Sequence, residues 1–142
     1  MTAFARNILL PIDGSQFMER NINYACDVAK NMGSKLTLMH VVTLPTVLEP
    51  GFPIDPKPFE QEGLKILEKA EKIAKDKGIE PETKLRRALG NPAQEILKAA
   101  EEGKSDLIII GAKGHSLLRN LMIGSVCDTV VHNAPCPVLV VR

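Results

Sequence analysis

Short apolar runs alternate along this chain with longer stretches whose apolar residues recur at helical spacing, and that alternation narrows the fold more than any other feature. RNILLPID (6–13) is a compact apolar run ending at a turn, as expected of a buried strand. In the stretch that follows, Met18, Ile22, Ala25, Cys26, Ala29 and Met32 form one helical stripe, with Ser15 as the expected N-cap and Gly33 as the stop. KLTLMHVV (35–42) reads as a second strand. FEQEGLKILEKAEKIAKDKG (59–78) reads as a second amphipathic helix with Leu64, Leu67, Ala70, Ile73 and Ala74 inward. PETKLRRAL (81–89) is polar enough for an edge strand. Asn91, Pro92 and Gln94 then make a compact start for a third helix running to about Gly103. A strongly apolar strand is expected over 106–111. Ser125 with Asp128 resembles a capping box for a fourth helix ending near Ala134 and Pro135, and PVLVVR (137–142) closes the chain as a fifth strand.

The order βαβαβαβαβ implies a parallel sheet covered on both faces. Right-handed crossovers then favour an α/β, doubly wound open five-stranded parallel sheet with four helices, in the order 3-2-1-4-5, as a single domain over 1–142. Residues 43–58 carry Pro45, Pro50, Pro53, Pro56 and Pro58 and are expected to form a long surface loop.

Charge excludes some functions. Eighteen Lys and Arg against seventeen Asp and Glu leave a formal charge of +1, so no bulk positive field draws the chain to nucleic acid. No apolar run reaches the roughly 18 residues that membrane insertion needs. The first residues meet Pro11 and Asp13 before a signal-peptide core can form, so a cytoplasmic location is expected. Cys26, Cys127 and Cys136 are odd in number and lack CxxC spacing, which argues against a disulfide framework or a structural zinc site. Cys26 and Cys127 fall in helical apolar patterns and read as small buried side chains.

In an open α/β sheet, ligands bind beyond the carboxyl ends of the strands where strand order reverses. Here that point lies between strands 1 and 4, ending in PIDGS and IIIGAKG. Gly111 and Gly114 let a backbone come close to a phosphate, and Gly124 and Ser125 open the last helix, whose dipole favours an anion. Asp13 suits ribose hydroxyls or an adenine amino group, and Lys113, His115 and Arg119 add positive charge. The same residues also fit a tight turn, an Asx-turn and a helix cap, and spacing alone leaves both readings open. His40 and His132 have no partners evident in sequence, and no metal-ligand set, Walker loop, nucleophile elbow or carboxylate pair emerges.

With these residues in hand, the chain resembles the universal stress proteins. Their nucleotide pattern of glycine, two residues, glycine, nine residues, glycine and serine or threonine is matched without gaps by Gly111, Gly114, Gly124 and Ser125. NILLPIDGS, LTLMHVV, SDLIIIGAKG and PCPVLVV agree as well, while residues 43–60 are the least similar stretch. The resemblance implies an adenine nucleotide alpha hydrolase-like fold binding ATP, with or without Mg2+. Pro11, Ile12 and Asp13 would line the adenine and ribose side, with Val41 offering backbone contacts to adenine. Gly111, Lys113, Gly114, Gly124, Ser125 and Val126 would surround the ribose and phosphates. It further implies a homodimer through the C-terminal strand, a protein client that the sequence does not identify, and a sensor of stress or energy state rather than an efficient enzyme. A ligand-free dimeric interaction module and a slow ATP hydrolase are the alternatives.

Overall fold

The computed structural model describes residues 4–44, 51, 54–113 and 124–142. Five strands, β1 (Asn7–Ile12), β2 (Lys35–Leu44), β3 (Glu82–Leu89), β4 (Leu107–Gly111) and β5 (Val138–Val141), form one parallel sheet in the order β3-β2-β1-β4-β5. The helices α1 (Met18–Met32), α2 (Lys57–Asp76), α3 (Ala93–Glu102) and α4 (Ser125–Asn133) lie between successive strands. This is the expected doubly wound order, with the polar β3 and the apolar β5 at the two edges.

Strand alternation divides the core into two layers. Ile8, Leu10, Leu36, Leu38, Leu107 and Ile109 face the inward stripes of α1 and α2. Leu9, Met39, Ile108 and Ile110 face Ala93, Ile96, Ala99 and Ala100 of α3 and Cys127 and Val130 of α4. Cys26 and Cys127 are buried, one in each layer, and all three cysteines are free thiols. Burial pushes each of these thiols above its ordinary pKa.

Several boundaries differ from the sequence expectation. Ser15 does not cap α1, which begins three residues later at Met18; its Oγ accepts the Phe17 amide at 3.3 Å and forms a turn of its own. Gly33 ends the helix as expected, at φ 65°, in the left-handed conformation that glycine adopts without strain. In α2, Leu64 is 54% exposed and Gly63 is buried in its place, because the inward stripe runs through Gly63, Leu67, Ala70 and Ala74. Two ends of the expected 43–58 loop are regular structure. Thr43 and Leu44 extend β2 by pairing with Ala88 and Leu89, and α2 starts at Lys57, with Pro56 and Pro58 in a first turn that lacks amide acceptors anyway. Residues 45–50, 52 and 53 of that loop lie outside the described residues. Asn91 Oδ1 accepts the Ala93 amide at 2.9 Å, while Pro92 occupies the cap position.

Two features of β1 shape the sheet around the reversal point. At its start, the Asp106 carboxylate accepts the backbone N–H of Arg6 and of Asn7, each at 2.9 Å, and so pins β1 to the residue before β4. Toward its end lies Pro11. The Arg6 carbonyl accepts from Lys35 beside β2 and the Asn7 carbonyl from Asp106 beside β4, so odd-numbered residues of β1 turn their polar backbone groups toward β4. Pro11 therefore lacks its N–H on the β4 side. The β1–β4 register stops at Leu9 and Ile108, whereas β1 stays paired with β2 to Ile12 and His40. The two central strands are tied at one end and parted at the other.

Candidate functional site

A cleft of about 440 Å³ occupies the parted end, within the usual size of small-molecule sites. β1 contributes Pro11 and Ile12, with Asp13 just beyond, and β2 contributes Val41. Gly111 ends β4, followed by Lys113, and Gly124, Ser125 and Val126 open α4. Nine residues expected from the sequence thus line one cavity, although they come from four separate parts of the chain. Gly114, His115 and Arg119 lie outside the described residues.

Local chemistry explains how each element holds its place. Asp13 Oδ1 accepts the Ser15 amide at 3.0 Å, the Asx-turn that lets the chain leave β1. The Gly124 amide donates to the Ala112 carbonyl at 2.9 Å, and the Ala112 amide donates to the Val141 carbonyl at 2.8 Å. The start of α4 is thereby fastened to the ends of β4 and β5. Ser125 is the first residue of α4 and not its cap; Gly124 holds the cap position, and the expected capping box with Asp128 is not formed. The Asp128 amide is the first to find an acceptor, the Gly124 carbonyl at 2.9 Å. The amides of Ser125, Val126 and Cys127 thus have no acceptor within the helix, and this end carries the positive pole of the helix dipole. A helix start at this place, close to the end of β4, suits an anionic group. Cys127 also lines the cleft, and burial pushes its thiol pKa up.

Gly111 has a specific reason to be glycine. A Cβ there would overlap Nδ2 of Asn21 and lie 3.3 Å from the Lys113 carbonyl oxygen. Gly124 leaves its added Cβ at an ordinary 3.4 Å from the Ala112 oxygen.

Three further cleft residues escaped the sequence reading. His40 sits opposite Ile12 in the β1–β2 ladder, and its Nδ1 lies 2.8 Å from the Ile12 carbonyl oxygen. A carbonyl only accepts, so Nδ1 carries the hydrogen, and the ring closes the last hydrogen bond of β1 on that side. Gly63 lets α2 approach this corner, where an added Cβ would stand 2.9 Å from Val42 Cγ2 and 3.1 Å from His40 Cδ2. Asn21, 6% exposed, lines the cleft from α1. Its signal was present in sequence: three residues after Met18 and four before Ala25, it is a polar residue at an inward helical position. His132 is on the far face of α4, where its Nε2 lies 3.3 Å from Asp128 Oδ1, a partner one turn away. Among the described residues no group of three or more His, Cys, Asp or Glu side chains could hold a metal ion, and no helix is long and apolar enough to cross a membrane.

Comparison with known proteins gives a consistent result. The profile of the universal stress protein family matches residues 5–142. The chain is 37% identical to universal stress protein YxiE of Bacillus subtilis, over 95% of this chain and 97% of that one. Among solved structures, universal stress protein UspA from Lactobacillus plantarum superposes with a TM-score of 0.84 at 24% identity, covering 96% of this chain and 97% of that one. The universal stress protein from Archaeoglobus fulgidus in complex with dAMP superposes with a TM-score of 0.72 at 25% identity, covering 96% and 98%.

Proposed function

Because the chain belongs to the universal stress protein family, we propose that its cleft binds an adenine nucleotide, ATP in the first instance, and that the protein reports stress or energy state instead of turning substrate over efficiently. The observation that carries this reading is the convergence of Pro11, Asp13, Val41, Gly111 and the α4 start on one cavity at the strand-order reversal. The division of labour follows from chemistry. Apolar Pro11, Ile12 and Val41 suit a purine face, the Asp13 carboxylate can accept from hydroxyl or amino groups, and the first-turn amides of α4, together with Lys113, suit phosphates. The dAMP bound by the Archaeoglobus fulgidus protein is of the same chemical class. Mg2+ would enter with the phosphates, as it does for most cellular ATP complexes. The apolar edge strand β5 is suited to pairing with a second copy, and a nucleotide-dependent protein client in the cytoplasm completes the proposal.

Heating the freshly purified protein and identifying released small molecules by mass spectrometry tests this directly, followed by calorimetric titration of the stripped protein with ATP·Mg2+. Release of ATP, or saturable binding that Gly124→Val abolishes in a folded variant, is expected. Phosphate release should not exceed that of the Gly124→Val background. No nucleotide and no binding heat would overturn the reading.

A further inference from the structure

Asn21 is buried in the wall of the cleft, yet its Oδ1 has no hydrogen-bond partner. No other buried side-chain nitrogen or oxygen among the described residues is left so. An unused buried acceptor lowers stability unless something supplies a donor, so each such group in a folded protein calls for an explanation. Its location supplies one. The Nδ2 end of the amide fills the space beside Gly111 where a Cβ would be, which holds the side chain at the end of β4. β4 and β2 flank β1 on opposite sides, so Asn21 is on the Gly111 side of the cleft and away from Val41.

A nucleotide offers an acceptor few donors: the adenine amino group and the ribose hydroxyls, since ionised phosphate oxygens only accept. With the base toward Val41 and the phosphates toward the α4 start, the sugar is the part that passes Gly111. We infer that Asn21 Oδ1 accepts a hydrogen bond from a ribose hydroxyl and makes the site discriminate ribonucleotides from their deoxy counterparts. This rests on the nucleotide reading above and adds to it a residue that determines sugar specificity.

The test is a cycle of ligand and protein changes: ATP, 2′-deoxy-ATP, 3′-deoxy-ATP and purine riboside triphosphate titrated against the full chain and against Asn21→Ala. Wild type should bind one deoxy analogue about five- to tenfold more weakly than ATP, the range of one neutral hydrogen bond. Asn21→Ala should bind that analogue and ATP alike. Equal discrimination in both proteins overturns the inference and leaves nucleotide binding intact. If Asn21→Ala instead abolishes discrimination against purine riboside triphosphate, the partner is the base and the sugar assignment is overturned. A wild type that binds no nucleotide overturns the nucleotide reading itself. Asn21→Ser, whose shorter side chain withdraws the polar atom from the cleft, gives the same cycle should Asn21→Ala not fold.

Discussion

Replacing Asp106 by alanine removes the carboxylate that ties the start of β1 to the start of β4. It accepts two backbone amides, those of Arg6 and Asn7, at 2.9 Å. The Arg6 contact is exposed and water can replace it, whereas the Asn7 contact is partly buried and its amide loses its acceptor. Hydrogen bonds to charged groups contribute about 1.5–3 kcal/mol each, and with the exposed one discounted the expected cost is about 2–3 kcal/mol. For a chain of this length that corresponds to a melting temperature lower by roughly 8 °C. Urea denaturation followed by circular dichroism measures the cost, and the slope of free energy against urea should not change, since the same surface is exposed on unfolding. Asp106→Asn keeps one acceptor oxygen and should lose about half as much. Nucleotide affinity should stay the same in both variants, because the carboxylate sits at the end of the strands opposite the cleft. A loss below about 0.5 kcal/mol for Asp106→Ala, within the range of ordinary surface substitutions, would refute the claim that this carboxylate clamps the two central strands.

Gly63→Ala sets two effects against each other: alanine gains about 1 kcal/mol of helix propensity, while a Cβ 2.9 Å from Val42 and 3.0 Å from Leu85 forces α2 outward at about 1–3 kcal/mol. The urea midpoint should fall modestly, and a rise by the full propensity gain would show that α2 is not closely seated there. Acid titration tests the outer surface of α3, where Arg86 Nη2 donates to Glu102 Oε2 at 2.6 Å and lies across from Glu95. That hydrogen bond holds the Glu102 carboxyl below its ordinary pKa. The contribution is thus fully present above the unfolded carboxylate value of about 4.3 and lost as pH falls through the lower folded value. Arg86→Met should flatten stability against pH between about 5 and 3, slightly, because the pair is exposed; an unchanged acid limb would contradict the assignment.

Strand order was legible in this sequence because the physics behind it is collective. β1, β2, β4 and β5 each form an apolar run, and four intervening helices leave few right-handed ways to connect a parallel sheet. Single-residue chemistry was less legible. Ser15 and Ser125 both have the composition of caps, yet Phe17 and Gly124 hold those positions, since a serine can equally satisfy a turn one step upstream or start the helix. Leu64 reads as core by type, but it stands one residue off the stripe that Gly63 occupies, and a glycine gives no apolar signal at all. The cleft glycines were visible from spacing, but the reason for Gly111 was not, because Asn21 meets it only across ninety residues of chain. His40 likewise looked partnerless until the register set it opposite Ile12.

Pro11 has a consequence for the energetics and timing of any guest entering the cleft. Since the β1–β4 ladder already stops before it, admitting a molecule between the ends of these strands breaks no interstrand bond. Opening is built into the covalent chain. Entry between these two strand ends should therefore have no strand-separation step to slow it.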